Sequence, residues 1–79
     1  MLQIEIMNMA IFKTSLKDKQ DLTAIEPVFN ILFGEKNWLF VFEDKLLRVM
    51  SSVPCVDVVR HLLHERGFFC EEITSYSAI

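Results

Sequence analysis

Glycine, proline, long apolar runs and a surplus of basic residues are all scarce in this sequence of 79 residues. It contains two glycines and two prolines, so most of the chain is expected to be ordered. No stretch approaches the roughly 20 consecutive apolar residues that a membrane-spanning helix requires. The net charge is −3, and nucleic-acid binding depends on a basic surface. The sequence therefore predicts neither a membrane partner nor a nucleic-acid partner.

Signatures of catalysis and of disulfide cross-linking are also missing. The chain has no Ser-His-Asp arrangement, no glycine-rich phosphate loop and no HExxH motif, so we expect no enzymatic activity and no cofactor. Its two cysteines, Cys55 and Cys70, are too few for a disulfide scaffold. The N-terminus lacks the basic and apolar regions of a signal peptide, and the expected location is the cytoplasm.

Apolar periodicity indicates a strand followed by a helix in the first half of the chain. Residues 9–15 favour a strand, with residues 2–6 as an extension or a loose arm. Residues 18–33 follow the helical period, with their apolar side chains on one stripe. Pro27 is expected to kink this helix or to end its first segment, and Gly34 is expected to cap the helix.

The second half begins with the strongest strand signal and continues into a second helix. Residues 37–43 alternate between two faces, and residues 43–45 supply a tight turn. Residues 46–51 return as a third strand, which predicts a hairpin. A second helix is expected to begin near Pro54, which fits a first helical turn, and to end before Gly67.

A fourth strand is expected at residues 68–73, and residues 74–79 are expected to fray. The resulting order, βαββαβ, predicts an α+β ferredoxin-like fold with a four-stranded antiparallel sheet and both helices on one face. The chain is expected to form one domain over residues 1–79, with its core at about 9–73. The second face of such a sheet is open unless something covers it.

Several segments of the sequence resemble heavy-metal-associated domains, which are the copper-chaperone-like domains of metallochaperones and metal-pumping ATPases. The likeness is to short bacterial versions in particular, and it covers about residues 9–72. In that family a strand that ends in Lys-Thr runs into a metal-binding loop at the start of the first helix. The similar segments here are residues 13–21 (KTSLKDKQD), Ile25-Glu26-Pro27, Asn30, Trp38, residues 44–47 (DKLL), Val58-Val59 and Gly67-Phe68.

The metal-binding residues of that family are replaced in this chain. The positions that align with its Cys-x-x-Cys motif are Asp18 and Asp21. Thiolates suit soft Cu(I) and Zn(II), whereas carboxylates suit hard ions, and two carboxylates are too few for a tight hard-ion site. The resemblance therefore implies a domain that has lost its metal site. The two aspartates are expected to cap the first helix, with weak cation binding as the alternative.

Weaker candidate sites involve histidine, cysteine and methionine. His61 and His64 lie on one side of the second helix and, with Asp57, could form part of a zinc site; the alternative is a solvated helix face. Cys55 and Cys70 are expected to be ordinary small apolar residues, and Cys55 the more reactive of the two because a helix N-terminus can lower the pKa of a thiol. Thioethers of the methionines near the first strand can bind Cu(I), or they can simply pack.

A surplus of apolar residues in the sheet predicts a binding surface. The second strand is apolar on both faces, so either its aromatic set or its aliphatic pair must lie on the open side. Exposed apolar patches commonly mark interfaces. The predicted interface residues are Trp38, Leu39, Phe40, Val41, Phe42 and Ile11.

The sequence favours a non-enzymatic interaction or regulatory domain. Its expected partner is a second copy of the chain or another protein, bound through the open sheet face or an edge strand. One alternative is a residual metal-binding, metallochaperone-like protein that uses the methionines, the cysteines or the histidine pair. A further alternative is a small-ligand-sensing dimer, which rests on analogy with the fold alone.

Overall fold

The computed structural model describes residues 7–51 and 55–78. Its four strands form one antiparallel sheet in the order β2-β3-β1-β4. The predicted α+β class, with a four-stranded antiparallel sheet and two helices, is confirmed. The predictions for residues 2–6 and for Pro54 lie outside the described residues. The elements are β1 (Met7–Thr14), α1 (Lys19–Phe33), β2 (Trp38–Val41), β3 (Leu46–Ser51), α2 (Val56–Glu65) and β4 (Cys70–Ala78).

One hydrophobic core joins both helices to one face of the sheet, which we call the inner face. Phe12 lies opposite Leu47, and Ala10 lies opposite Val49, so these alternate residues point to the same side. The helices contribute the residues of their apolar stripes. The core consists of Ala10, Phe12, Leu16, Ile25, Phe29, Phe40, Leu47, Val49, Cys55, Val59, Leu63 and Cys70.

Helix α1 continues through Pro27 to Phe33, so of the two expected effects of this proline, the end of a first helical segment is wrong. Proline removes the N–H that would bond the carbonyl four residues earlier, which belongs to Thr23. Thr23 is exposed, so water can satisfy that carbonyl. Buried Ile25 and Phe29 lie on either side of the proline and hold both halves of the helix on the core.

Strand β4 extends to Ala78, so the predicted fraying of residues 74–79 is wrong for the described part of that segment. The reason is that β1 begins at Met7, earlier than predicted, and offers a partner to the later residues. Met7 pairs with Ala78 and Asn8 pairs with Ser77. Backbone groups of a polar segment gain ladder hydrogen bonds when such a neighbour is present.

The β2–β3 hairpin places Phe42 outside the sheet, because β2 ends at Val41 rather than at residue 43. Residues 42–45 form the turn, and Lys45 adopts φ 57, a left-handed conformation that is common in turns. Strand β3 has the predicted bounds. Gly34 caps α1, with its N–H donating to the Asn30 carbonyl, as predicted.

Candidate interaction surface

The loop that precedes α1 is closed by internal hydrogen bonds. The N–H of Thr14 donates to the Lys45 carbonyl, and the N–H of Ser15 donates to the Phe69 carbonyl, both at 3.1 Å. The N–H of Phe69 in turn donates to Ser15 Oγ at 2.7 Å. Leu16 is fully buried in the core. The loop is thus tied to the hairpin, to the start of β4 and to the core.

Asp18 and Asp21 bond to the backbone at the start of α1, which confirms the predicted cap. Asp18 is the N-cap residue, and its Oδ1 accepts the N–H of Asp21 at 2.9 Å. Asp21 Oδ2 reaches back to accept the N–H of Lys17 at 3.2 Å. This reciprocal pattern resembles a capping box. Both carboxylates are also favoured by the positive end of the helix dipole.

We expect Asp18→Ala to lower the free energy of unfolding by about 1 kcal/mol, because it removes the acceptor for an otherwise unpaired helical N–H. Asp18→Asn keeps an acceptor oxygen, so its change should be within a few tenths of a kcal/mol. Urea unfolding followed by circular dichroism measures both. Equal losses for the two variants would contradict the capping role.

The two histidines lie on the exposed side of α2, as predicted. His61 Nε2 lies 3.0 Å from Glu65 Oε1, and Asp57 is 3.7 Å from Arg60 Nη1. His64 lies further along the same exposed side. Within residues 7–51 and 55–78, no group of three or more His, Cys, Asp or Glu residues is placed to hold a metal ion.

Both cysteines are free and buried. Burial raises the pKa of Cys55, and this outweighs a backbone hydrogen bond that lowers it. Both thiols thus lie among apolar residues as expected, and desolvation disfavours the thiolate; the expectation that Cys55 is the more reactive of the two stays a prediction. Burial also raises the pKa of Cys70 to about 11, against a smaller lowering by the Arg60 guanidinium.

We expect the free energy of unfolding to fall as the pH rises from about 9 towards about 11. Cys70 ionises near its ordinary pKa in the unfolded chain but only near pH 11 in the folded chain, so the unfolded state releases its proton first. The contribution of the Cys70 thiol to the free energy of unfolding is fully present below about pH 8.5, where the thiol is neutral in both states. Comparing the chain with Cys70→Ala by urea unfolding at several pH values isolates this contribution from those of other titrating groups. A pH dependence unchanged by Cys70→Ala would contradict it.

The second face of the sheet, here called the outer face, carries an apolar patch with Arg48 in its middle row and Lys13 at one end. In one row Leu39, Arg48 and Ile11 lie opposite one another across β2, β3 and β1. The neighbouring rows supply Val41, Leu46 and Lys13 on one side and Met50 and Met9 on the other. Directly opposite residues have Cβ atoms about 5 Å apart. The outer face is thus an apolar surface with the Arg48 guanidinium inside it and the Lys13 ammonium group at its border.

Arg48 has no ion-pairing carboxylate among the described residues. Glu71, an acidic residue of this face within the described part of the chain, lies across the β1–β4 ladder from Lys13. Its position is two strands away from Arg48. A partner that covers the apolar patch would therefore gain from presenting a carboxylate to Arg48.

The structure places the predicted interface residues in four different settings. Ile11, Leu39 and Val41 lie on the outer face, and Leu39 is 55% exposed. Phe40 is a core residue, only 6% exposed. Trp38 is half-buried on the inner face, where its ring packs edge-on against that of Phe29 with the ring centroids 5.4 Å apart. Phe42 follows β2 in the turn, and its ring centroid lies 5.0 Å from that of Phe40.

Sequence reasoning missed the contribution of β3 to the outer face. Leu46, Arg48 and Met50 share this face because the side chains of a strand alternate. Once residues 46–51 are assigned as a strand paired with residues 37–43, this alternation is the signal that could have found them. Strand alternation could not show that Arg48 has no ion-pairing carboxylate among the described residues, because that depends on where the carboxylates of other strands lie.

Comparisons with protein-family models, with curated proteins and with solved structures found no match to this chain. Among the described residues, neither helix is long and apolar enough to cross a membrane.

Proposed function

We propose that this chain is a non-enzymatic protein-interaction domain whose outer sheet face binds another protein. We infer further that its fold is ferredoxin-like and that it resembles a heavy-metal-associated domain without the metal site. The element order β1-α1-β2-β3-α2-β4 supports the fold, as does a sheet with β1 and β3 at its centre. The capping role of Asp18 and Asp21 supports the loss of the metal site.

The observation that carries the proposal is the apolar outer face around Arg48. A face of this kind gains free energy when a partner removes it from water, by about 25 cal/mol per Å² of apolar surface. The partner is expected to present apolar side chains and one carboxylate to the guanidinium. A second copy of the chain fits less well. Symmetric packing of two outer faces would bring the two Arg48 side chains close together, because β3 is a central strand.

The test compares Arg48→Glu with Lys19→Glu, since both residues are exposed and both changes alter the net charge equally. Each purified protein is incubated with an extract of its source cells, cross-linked and analysed by quantitative mass spectrometry. We expect one or more proteins to be enriched by the original chain and by Lys19→Glu. Their recovery should fall about tenfold or more with Arg48→Glu, because two carboxylates would then face each other.

Two results would overturn the proposal. One is an absence of any protein enriched over a blank matrix, and the other is equal recovery by both charge variants. Sedimentation equilibrium on the purified chain distinguishes a second copy as partner, because self-association abolished by Arg48→Glu would assign the outer face to the chain itself.

A further inference from the structure

A groove of about 280 Å³ lies between α1 and the edge of β2 that faces away from β3. Helix α1 lines it with Leu22, Glu26 and Asn30, which are spaced four apart and therefore form one row along the helix. Trp38 and Phe40 form the opposite side. The Trp38 indole N–H donates to Asn30 Oδ1 at 2.7 Å, so a hydrogen bond fixes the tryptophan against the helix.

The edge of β2 that borders this groove has unpaired backbone groups. The Met50 N–H donates to the Asn37 carbonyl at 2.7 Å, and hydrogen-bonded pairs alternate along an antiparallel ladder. Leu39 therefore bonds towards β3, while the N–H and C=O groups of Trp38 and Phe40 point away from it. No backbone partner for these groups lies within the described part of the chain. The edge can thus accept hydrogen bonds from, and donate them to, an added strand.

The charge beside the groove is acidic. Glu26 and Glu35 are exposed and both line it. Glu43 and Asp44 lie in the turn that immediately follows β2, and the adjacent cations, Lys36 and Lys45, leave these four carboxylates in excess. No lysine or arginine forms an ion pair with any of these four among the described residues. An apolar groove with an acidic rim favours an apolar ligand that carries positive charge.

We propose that the β2 edge binds an extended peptide segment of a partner protein, which adds a fifth strand to the sheet. Residues of the segment spaced two apart enter the groove. At least one of them is apolar and packs between Leu22 and Phe40, and flanking Lys or Arg residues meet Glu26 and Glu35. This inference rests on the proposed interaction function and names the chemistry of a partner.

A second copy of the chain is a poorer occupant of this edge. Pairing β2 with β2 of another copy would bring the two acidic rims together, and like charges across an interface oppose association. A basic, apolar segment from another protein meets no such repulsion, and its backbone can bond to Trp38 and Phe40.

The test begins with selection of 12-residue peptides from a random display library on the immobilised chain. Synthetic versions of the enriched peptides are then titrated while the fluorescence of Trp38, the single tryptophan, is followed. We expect the enriched peptides to combine Lys or Arg with alternating apolar residues. N-methylation at successive peptide positions should weaken binding about tenfold at alternate positions, where a peptide N–H bonds to the edge, and little between them.

The matched variants are Glu26→Lys/Glu35→Lys and Glu71→Lys/Glu72→Lys, which change the net charge equally and alter the groove and the opposite edge strand, respectively. We expect the first to weaken peptide binding tenfold or more and the second to leave it within about twofold. The absence of enriched peptides, a selection of acidic peptides, equal effects of the two variants, or uniform effects of N-methylation would overturn the inference. Loss of a partner with Arg48→Glu alongside any of these results would leave the proposed function standing.

Discussion

Replacing Phe29 by alanine is expected to lower the free energy of unfolding by about 3–5 kcal/mol. Phe29 is fully buried. Its ring packs edge-on against the rings of Phe33 and Trp38, with ring centroids 5.2 Å and 5.4 Å apart, respectively. Truncation removes these contacts and leaves a cavity where α1 meets β2. At about 0.05–0.15 kcal/mol per residue, a domain of this size has a total stability of roughly 4–12 kcal/mol, so this loss is a large share of the whole.

Ile31→Ala on the same helix is the matched control. Ile31 is 83% exposed, so its truncation should change the free energy of unfolding by no more than about 0.5 kcal/mol. Urea unfolding, followed by Trp38 fluorescence and circular dichroism, measures both variants. Equal losses would contradict the assignment of the Phe29 side of α1 to the core.

The double change Asp18→Cys/Asp21→Cys is expected to create a Cu(I) site. It would restore the Cys-x-x-Cys spacing of the resembled family at the start of α1, where the helix N-terminus lowers thiol pKa values and thiolates suit Cu(I). The hydrogen bonds of Thr14 and Ser15 already hold the preceding loop. We expect Cu(I) affinity to rise on the order of 10³-fold or more, which corresponds to about 4.1 kcal/mol.

The control for this gain of binding is Asp18→Ser/Asp21→Ser, which keeps small polar residues at both positions but supplies no thiolate. Competition with a Cu(I) chelator, monitored by absorbance, gives both affinities. If the cysteine variant binds Cu(I) no better than the serine variant, the loop does not have the geometry of a metal loop, and the resemblance loses its chief support.

Much of the fold could be predicted from the sequence, because local signals agree with the packing. The bounds of β3 and the caps of α1 follow from apolar alternation and from the placement of Asp18 and Gly34. The end of β4 could not be predicted in this way. Residues 74–78 have a polar pattern that carries no strand signal of its own, and they are ordered by pairing with β1, a contact that spans most of the chain.

Burial decides what the sequence pattern leaves open. A helix N-terminus can lower the pKa of a thiol, but desolvation in the core raises the pKa of Cys55. Either the aromatic set or the aliphatic pair of β2 was expected on the open side, and the aliphatic pair lies there, while Phe40 is buried and Phe42 lies beyond the strand end. The groove beside β2 needed the relative placement of α1 and the sheet edge, which one sequence does not supply.

We expect Asp18 and Asp21 to cap a helix without binding a metal, and the chain to act through its surface. The sharpest measurement is a titration of the unaltered chain with Cu(I) against a competing chelator. We expect no stoichiometric Cu(I) binding and an unchanged melting temperature in the presence of the metal. Stoichiometric binding with a dissociation constant below about 1 nM, which corresponds to about 12 kcal/mol, would contradict it.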